Sequence, residues 1–463
     1  MLAQGSRPQV KSTLDRTSAR LLTVATTLLD TTTLSDLEIF ATDGTSSGVL
    51  DLIDRTTTSR GRAALRRRMA NPASDLLTLR RTQEAVRFLQ DHSDDVRLSD
   101  PHLETVSRYL RSNIVVSAGS GPSLRLEQAW MALRYRDLLK QLAEGVEATV
   151  TLFRHVARIC ESLVGHGAPP LIAELAIRVL AASETVLRAR NGSQSLLQLD
   201  RVLRLEKRRA LEDALEDLGE IDALNAMAAT TNALGWVIPT LVDAEGFQLE
   251  ADGVYHPFVE SPVRNPIRLS GGEPMVFLTG PNMAGKTTYL RSVGLVVLLG
   301  QLGMGVPARR ARFTPVDALF TSLSPADNLR AGLSYFLVEV LRVKDAACIL
   351  ARGQRALVLF DEVFKGTNVR DAVDASRDVI LGFAQARNSG FIFSSHLIEL
   401  VPALQSNPAI RFCYFDGDLV QNVPRYTYQL RDGVSDKRFG LALLHRAGVP
   451  ELLQQIGALE RAV

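Results

Sequence analysis

The stretch from Val276 to Ser292, VFLTGPNMAGKTTYLRS, constrains this chain more than any other. A short apolar run, a glycine-bracketed loop, a Lys-Thr pair and a helical pattern follow one another, which predicts strand, phosphate loop and helix. Gly280 and Gly285 allow close approach of the backbone, so that N–H groups around Pro281, Asn282, Met283 and Ala284 converge on phosphate oxygens at a helix N-terminus. Lys286 is placed to reach β- and γ-phosphates, Thr287 to offer its hydroxyl to Mg²⁺, and Thr288 to continue the helix start. The bland alternative is a glycine-rich turn before an ordinary helix.

A chain of 463 residues, 46% of them hydrophobic, has enough apolar content for two or three domains with full cores. Cys160, Cys348 and Cys413 lie far apart without metal-ligand spacing, which fits a reducing cytoplasm. The longest apolar tract, Val293 to Val306, is broken by Gln301 and several glycines and is too short for a bilayer, and the polar N-terminus has no signal-like apolar region. A cytoplasmic protein with no membrane insertion is expected. The formal net charge of +2 does not by itself mark a nucleic-acid binder, so such binding would need local patches.

Residues 1–36 read as a polar tail with a weak helix. Leu65 and Met69, then Leu76 and Leu79, have helical spacing on either side of Asn71-Pro72, predicting two helices around a corner. Arg55, Arg60, Arg62, Arg66, Arg67, Arg68, Arg80, Arg81 and Arg87 crowd this segment, either as a phosphate-facing stripe or as solvated helix faces. Residues 113–240 read as long helices broken at 117–123, 165–170 and 191–193, with Leu211, Leu215, Leu218 and Ile221 as an apolar stripe. No alternating run of strand length with hairpin turns occurs between 124 and 218.

Beyond the loop, Ala356 to Phe360 reads as a buried parallel strand that delivers Asp361 and Glu362 to its carboxyl edge. Asp361 is expected to hold Mg²⁺ through its water shell and Glu362 to polarise an attacking water. Phe391 to Ser395 reads as a further buried strand, followed by His396. Leu269 to Glu273 spells LSGGE, the signature of ABC transporters, but it precedes the phosphate loop instead of following it; a turn between strands is the better reading, and a transporter motor is disfavoured.

GPNMAGKTTYLRSVG resembles the ATPase of the MutS family of DNA mismatch-repair proteins, whose loop usually carries glycine at the place of Ala284. Leu52, Asp54-Arg55-Thr56, Gly61, Leu65-Arg66-Arg67, Pro72 and Gln83 to Val86 resemble the start of that family's core domain. His256, Pro257 and Glu260 resemble its His-Pro-x-x-Glu lead into the ATPase, while Asp317, Thr321, Asp327, Gly332, Ser334, Phe336 and Glu339 resemble its signature region. The segment from Tyr426 to Leu459 resembles the family's closing helical element. The resemblance is closest over 251–463 and extends to 37–112 and 216–240.

It implies a multidomain α and α/β protein, with a tail at 1–36, a helical core or lever at 37–245 and, at 246–463, an ABC-related P-loop ATPase domain. That domain would contain a mostly parallel sheet and end in a helical dimerisation element. ATP and Mg²⁺ would be the cofactors. Val263 and Tyr428 would hold the adenine, Pro262 standing where the family has an aromatic residue and Tyr428 where a histidine often stacks on the base. Ser334 would contact the γ-phosphate bound by the partner subunit; it also reads as a cap for a helix beginning near Tyr335. His396, beside Glu399, would sense the γ-phosphate, with Ser395 in place of the family's threonine. The family's Gly-Arg-Gly-Thr turn is Phe364-Lys365-Gly366-Thr367 here.

The mismatch-recognition module and the nuclease domain are expected to be absent, and the strand-rich clamp missing or reduced. Phe258-Val259-Glu260 and Phe360-Asp361-Glu362 match the Phe-x-Glu form of a mismatch reader but fall in ATPase motifs. The implied function is an ATP-switched homodimer related to mismatch repair or recombination that binds DNA largely without sequence preference, alongside a repair or recombination protein. The alternative keeps the ATPase and turns the helical lever on a protein partner.

Overall fold

Parallel strands covered on both faces favour unbroken apolar runs, and Met275–Leu278, Ala356–Phe360 and Phe391–Phe393 are such runs. The computed structural model describes residues 28–41, 47–98, 100–112, 136–193, 195–323, 335–420, 423–435, 437, 444–445, 447–450, 452–453 and 455. Its helical part comprises α1 (Thr31–Asp36), α2 (Val49–Ile53), α3 (Ser59–Ala70), α4 (Leu76–His92), α5 (Asp100–Arg111), α6 (Arg136–Gly165), α7 (Pro170–Gly192), α8 (Leu196–Asp200) and α9 (Arg208–Ala233). Thr58 and Asp75 cap α3 and α4 by accepting from the Gly61 and Thr78 N–H groups, so the corner at Asn71-Pro72 separates two properly started helices. The breaks read at 165–170 and 191–193 fall at the ends of α6 and α7. The break read at 117–123 lies outside the described residues.

The strands begin with β1 (Thr240–Leu241), β2 (Gln248–Val254), β3 (Asn265–Ser270) and β4 (Met275–Thr279), followed by α10 (Lys286–Gln301), β5 (Arg310–Phe313) and β6 (Ala318–Ser322). Then come α11 (Tyr335–Ala351), β7 (Ala356–Asp361), α12 (Val369–Phe383), β8 (Gly390–Ser394), α13 (Val401–Leu404), β9 (Ile410–Val420) and β10 (Val423–Asp432). A small sheet has the order β1-β5-β2-β3, and a larger one β10-β9-β4-β8-β7-β6. Every neighbouring pair in the larger sheet is parallel except β10 with β9.

Side-chain alternation divides this larger sheet between two cores. Val276, Leu278, Leu357, Leu359 and Ile392 face the core shared with α10, while Phe277, Phe320, Phe360, Phe391 and Phe393 face the other. The first core is continuous from Leu65, Met69 and Val86 through Leu224 and Met227 to Val293, Val296 and Phe313, so the helical part packs directly on the nucleotide-domain elements. A further core built on Phe153, Val179, Leu211, Leu215 and Leu218 fills the bundle of α6, α7 and α9. Among the described residues between 136 and 218 there is no strand, and no helix is long and apolar enough to cross a membrane.

Two features were not legible in the sequence. The end of the segment read as a polar tail with a weak helix carries α1 and covers the open edge of β6: Leu319 N–H donates to Leu28 O (2.9 Å), Thr321 N–H to Thr33 Oγ1 (3.1 Å) and Leu323 N–H to Asp36 Oδ2 (2.9 Å). Acceptors at every second residue satisfy an edge that would otherwise expose unpaired donors. The arginines of α3 and α4, for their part, form a lattice with carboxylates. Arg60 pairs with Glu216, Arg67 and Arg68 with Glu220 (3.1 and 2.9 Å), Arg62 with Asp51 and Asp54 (3.2 and 3.0 Å), and Arg81 with Glu174 (2.6 Å). The Arg66 guanidinium lies 4.3 Å over the Phe40 ring.

Candidate nucleotide site

Strand register brings the chemistry-bearing residues together. Leu278 and Asp361 are both in register with Ser394, so the loop after β4 and the carboxylates ending β7 emerge on either side of β8. Glu362 N–H donates to Ser394 O (2.8 Å) and Ser395 N–H to Leu278 O (3.0 Å), which ties the three strand ends. Gly280 has φ +135°, and a Cβ there would lie 3.0 Å from Phe415 O; Gly285 has φ +99°, and its Cβ would meet the Tyr428 ring at 3.3 Å. Glycine is required at both places by conformation and by space. The methyl of Ala284 is buried in the core.

Lys286, at the start of α10, is buried, and its Nζ donates to Gly280 O (2.9 Å) and Pro281 O (3.1 Å). Burial lowers its pKa, opposed by the negative charges of Glu362 and Asp361. Thr287 donates its hydroxyl to Asp361 Oδ2. Asp361 Oδ1 is buried with no hydrogen-bond partner among the described residues. A threonine hydroxyl and a carboxylate with a spare oxygen are hard donors, so these residues fit Mg²⁺.

Glu362 is held on both oxygens. Its Oε1 bonds His396 Nε2 and its Oε2 lies 2.5 Å from Lys365 Nζ. Burial alone would raise this carboxyl, but the hydrogen bonds from His396 and Lys365, with their charges, bring it down to about 2. His396 Nε2 also lies 3.4 Å from Lys286 Nζ, so the imidazole stands between that lysine and the Glu362 carboxylate.

A cleft of about 550 Å³ opens beside this cluster, lined by Asn282, Met283, Gly285, Lys286, Thr287, Thr288, Glu362, Val263 and Tyr428. Val263 and Tyr428 are 165 residues apart and meet at one cleft because Asn265 ties their segments. Asn265 Nδ2 donates to Tyr428 O (2.9 Å) and Leu430 N–H to Asn265 Oδ1 (2.8 Å), across a bulge where Tyr428 has φ +55°. Tyr255 lines the same cleft and adds an aromatic ring that motif reading missed, as it missed Asn265 and Lys365. Asp327, Gly332 and Ser334 lie outside the described residues.

A parallel sheet whose carboxyl edge carries a glycine loop, a helix N-terminus and paired carboxylates belongs to the nucleotide-binding class of α/β folds. Residues 276–460 match the family described as MutS domain V. The chain is 31% identical over 248 residues to the DNA mismatch repair protein MutS of Shouchella clausii (strain KSM-K16). Residues 276–460 are therefore similar to MutS domain V. That alignment covers 52% of this chain and 28% of the relative, so the chain spans well under half the length of the curated protein it matches.

Proposed function

We propose that this chain is a Mg²⁺-dependent ATPase that works as a homodimer and uses ATP to switch its hold on DNA. The observation that carries this reading is the convergence of Lys286, the Thr287–Asp361 pair and the Glu362–His396 pair at one strand edge. Lys286 would leave the Gly280 and Pro281 carbonyls for the β- and γ-phosphates. Thr287 and Asp361 would hold Mg²⁺, which would supply positive charge against the charge developing on the phosphate. Glu362 would accept a proton from the attacking water, and His396, between Glu362 and Lys286, would meet the γ-phosphate. Val263, Tyr428 and the neighbouring Tyr255 ring offer an apolar and aromatic seat for the base. Ser334 would complete the site bound by the partner subunit, giving two composite sites.

DNA is the substrate class supported by the MutS relative, and recognition of it should be largely sequence-independent. Of the Phe-x-Glu tripeptides, Phe360 is fully buried in β7, which supports reading that one as part of the strand, and Phe258, exposed beside His256, is read with the lead into the nucleotide cleft. One observation favours the rival reading, a helical lever acting on a protein: Arg60, Arg62, Arg67, Arg68 and Arg81 already face carboxylates of this chain. Competition between a perfect duplex, a G·T mismatch and a four-way junction, with and without ATP at two salt concentrations, separates the two. The expected result is ATP-sensitive binding that falls steeply with salt and shows little preference for G·T. Strong G·T selectivity would overturn the recognition mode, and no binding to any DNA would overturn the DNA reading and favour the protein-partner one.

A further inference from the structure

We infer that Lys365 is a positioning residue for the ATPase reaction, fixing the Glu362 carboxylate through its Oε2 atom so that Oε1 stays turned toward the phosphate loop. The inference rests on the reading of Glu362 as the group that takes the proton from water.

The turn that carries Lys365 is held in a conformation it would not adopt unaided. Glu362 has φ +51° and Phe364 φ +69°, left-handed values that disfavour residues with a side chain. Three contacts outweigh that preference. Glu362 N–H donates to Ser394 O (2.8 Å), the buried Phe364 ring packs 5.8 Å from that of Phe336 on α11, and Glu339 of the same helix accepts from Lys365 N–H and Gly366 N–H (3.2 Å each). The backbone of Lys365 is therefore anchored to both β8 and α11. From this root Nζ lies 2.5 Å from Glu362 Oε2.

The two oxygens of Glu362 have different prospects when a nucleotide arrives. Oε1 is bonded by His396, whose Nε2 is 3.4 Å from Lys286 Nζ, and phosphate oxygens would compete for both of those groups. Oε2 belongs to Lys365, which is not among the residues lining the nucleotide cleft. Lys365 would keep its hold while the other ties exchange, so the carboxylate would enter the reaction already oriented. A long side chain on a turn serves this purpose only if the turn is rigid, and the Phe364 and Glu339 contacts provide that rigidity.

Steady-state hydrolysis and ATP binding by the full chain test this. Lys365→Ala should lower kcat roughly 10- to 100-fold, the range expected when a reacting group loses its orientation, with ATP affinity held within about twofold. Lys365→Arg should restore most of the rate. In a Glu362→Gln background, adding Lys365→Ala should cause no further loss, because Lys365 acts through the carboxylate. Wild-type or faster turnover by Lys365→Ala beside an inactive Glu362→Gln chain would overturn the role of Lys365 alone, as would fully multiplicative loss in the double variant. Wild-type turnover by Glu362→Gln would overturn the base assignment itself.

Discussion

A Glu362→Gln chain is expected to bind Mg-ATP with close to wild-type affinity and to hydrolyse it about 10²- to 10⁴-fold more slowly, the range set by loss of a positioned general base. The amide keeps nearly the volume of the carboxylate, so the turn fixed by Phe364 and Glu339 has no steric reason to move. It cannot accept the proton from water. It also loses the charge that attracts Lys365, while its amide oxygen can still accept from His396. Single-turnover measurements with ATP in the filter-bound complex distinguish slow chemistry from lost binding, and ADP accumulating at the wild-type rate would remove Glu362 from the mechanism.

Lys286→Ala should act one step earlier and remove detectable nucleotide binding. Truncating one member of a buried charge pair costs about 2–5 kcal/mol, which corresponds to an affinity loss of roughly 30-fold to several thousandfold. Lys286 is 6% exposed, and the carboxylates of Asp361 and Glu362 are close enough to oppose the lowering of its pKa by burial. Without the ammonium, an incoming triphosphate would meet those carboxylates and the Gly280 and Pro281 carbonyls with no fixed cation among them. Equilibrium binding of a fluorescent ATP analogue checks this, with near wild-type affinity as the result that removes Lys286 from the phosphate site.

How much of this was legible in the sequence follows from how local each determinant is. The strand, loop and helix around Lys286 are written in consecutive residues, as is the delivery of Asp361 and Glu362 to a strand edge, and the structure has both. Buried parallel strands announce themselves through unbroken apolar runs. The edge cover of β6 does not, because it depends on Leu28, Thr33 and Asp36 meeting residues almost three hundred positions away. The seat formed by Val263, Asn265 and Tyr428 was visible only in part for the same reason: resemblance suggested the first and last, but the Asn265 side chain that brings them together has no periodic signal. The arginines of α3 show the limit most clearly. Their sequence is compatible with a phosphate-facing stripe, and only the packing of α9 reveals Glu216 and Glu220 opposite them. Lys365 was legible as a departure from a familiar turn, whereas its contact with Glu362 required the left-handed backbone of that turn.

The central claim is that ATP is hydrolysed at a site completed between two copies of the chain. Lys286→Ala chains and Ser334→Ala chains, each impaired alone, should be mixed under conditions where differently tagged copies are shown to co-purify, and ATP hydrolysis measured. A heterodimer would pair the intact loop of one chain with the intact Ser334 of the other, so partial recovery of turnover is the predicted result. No recovery in demonstrated heterodimers would contradict it and place the whole reaction within a single chain.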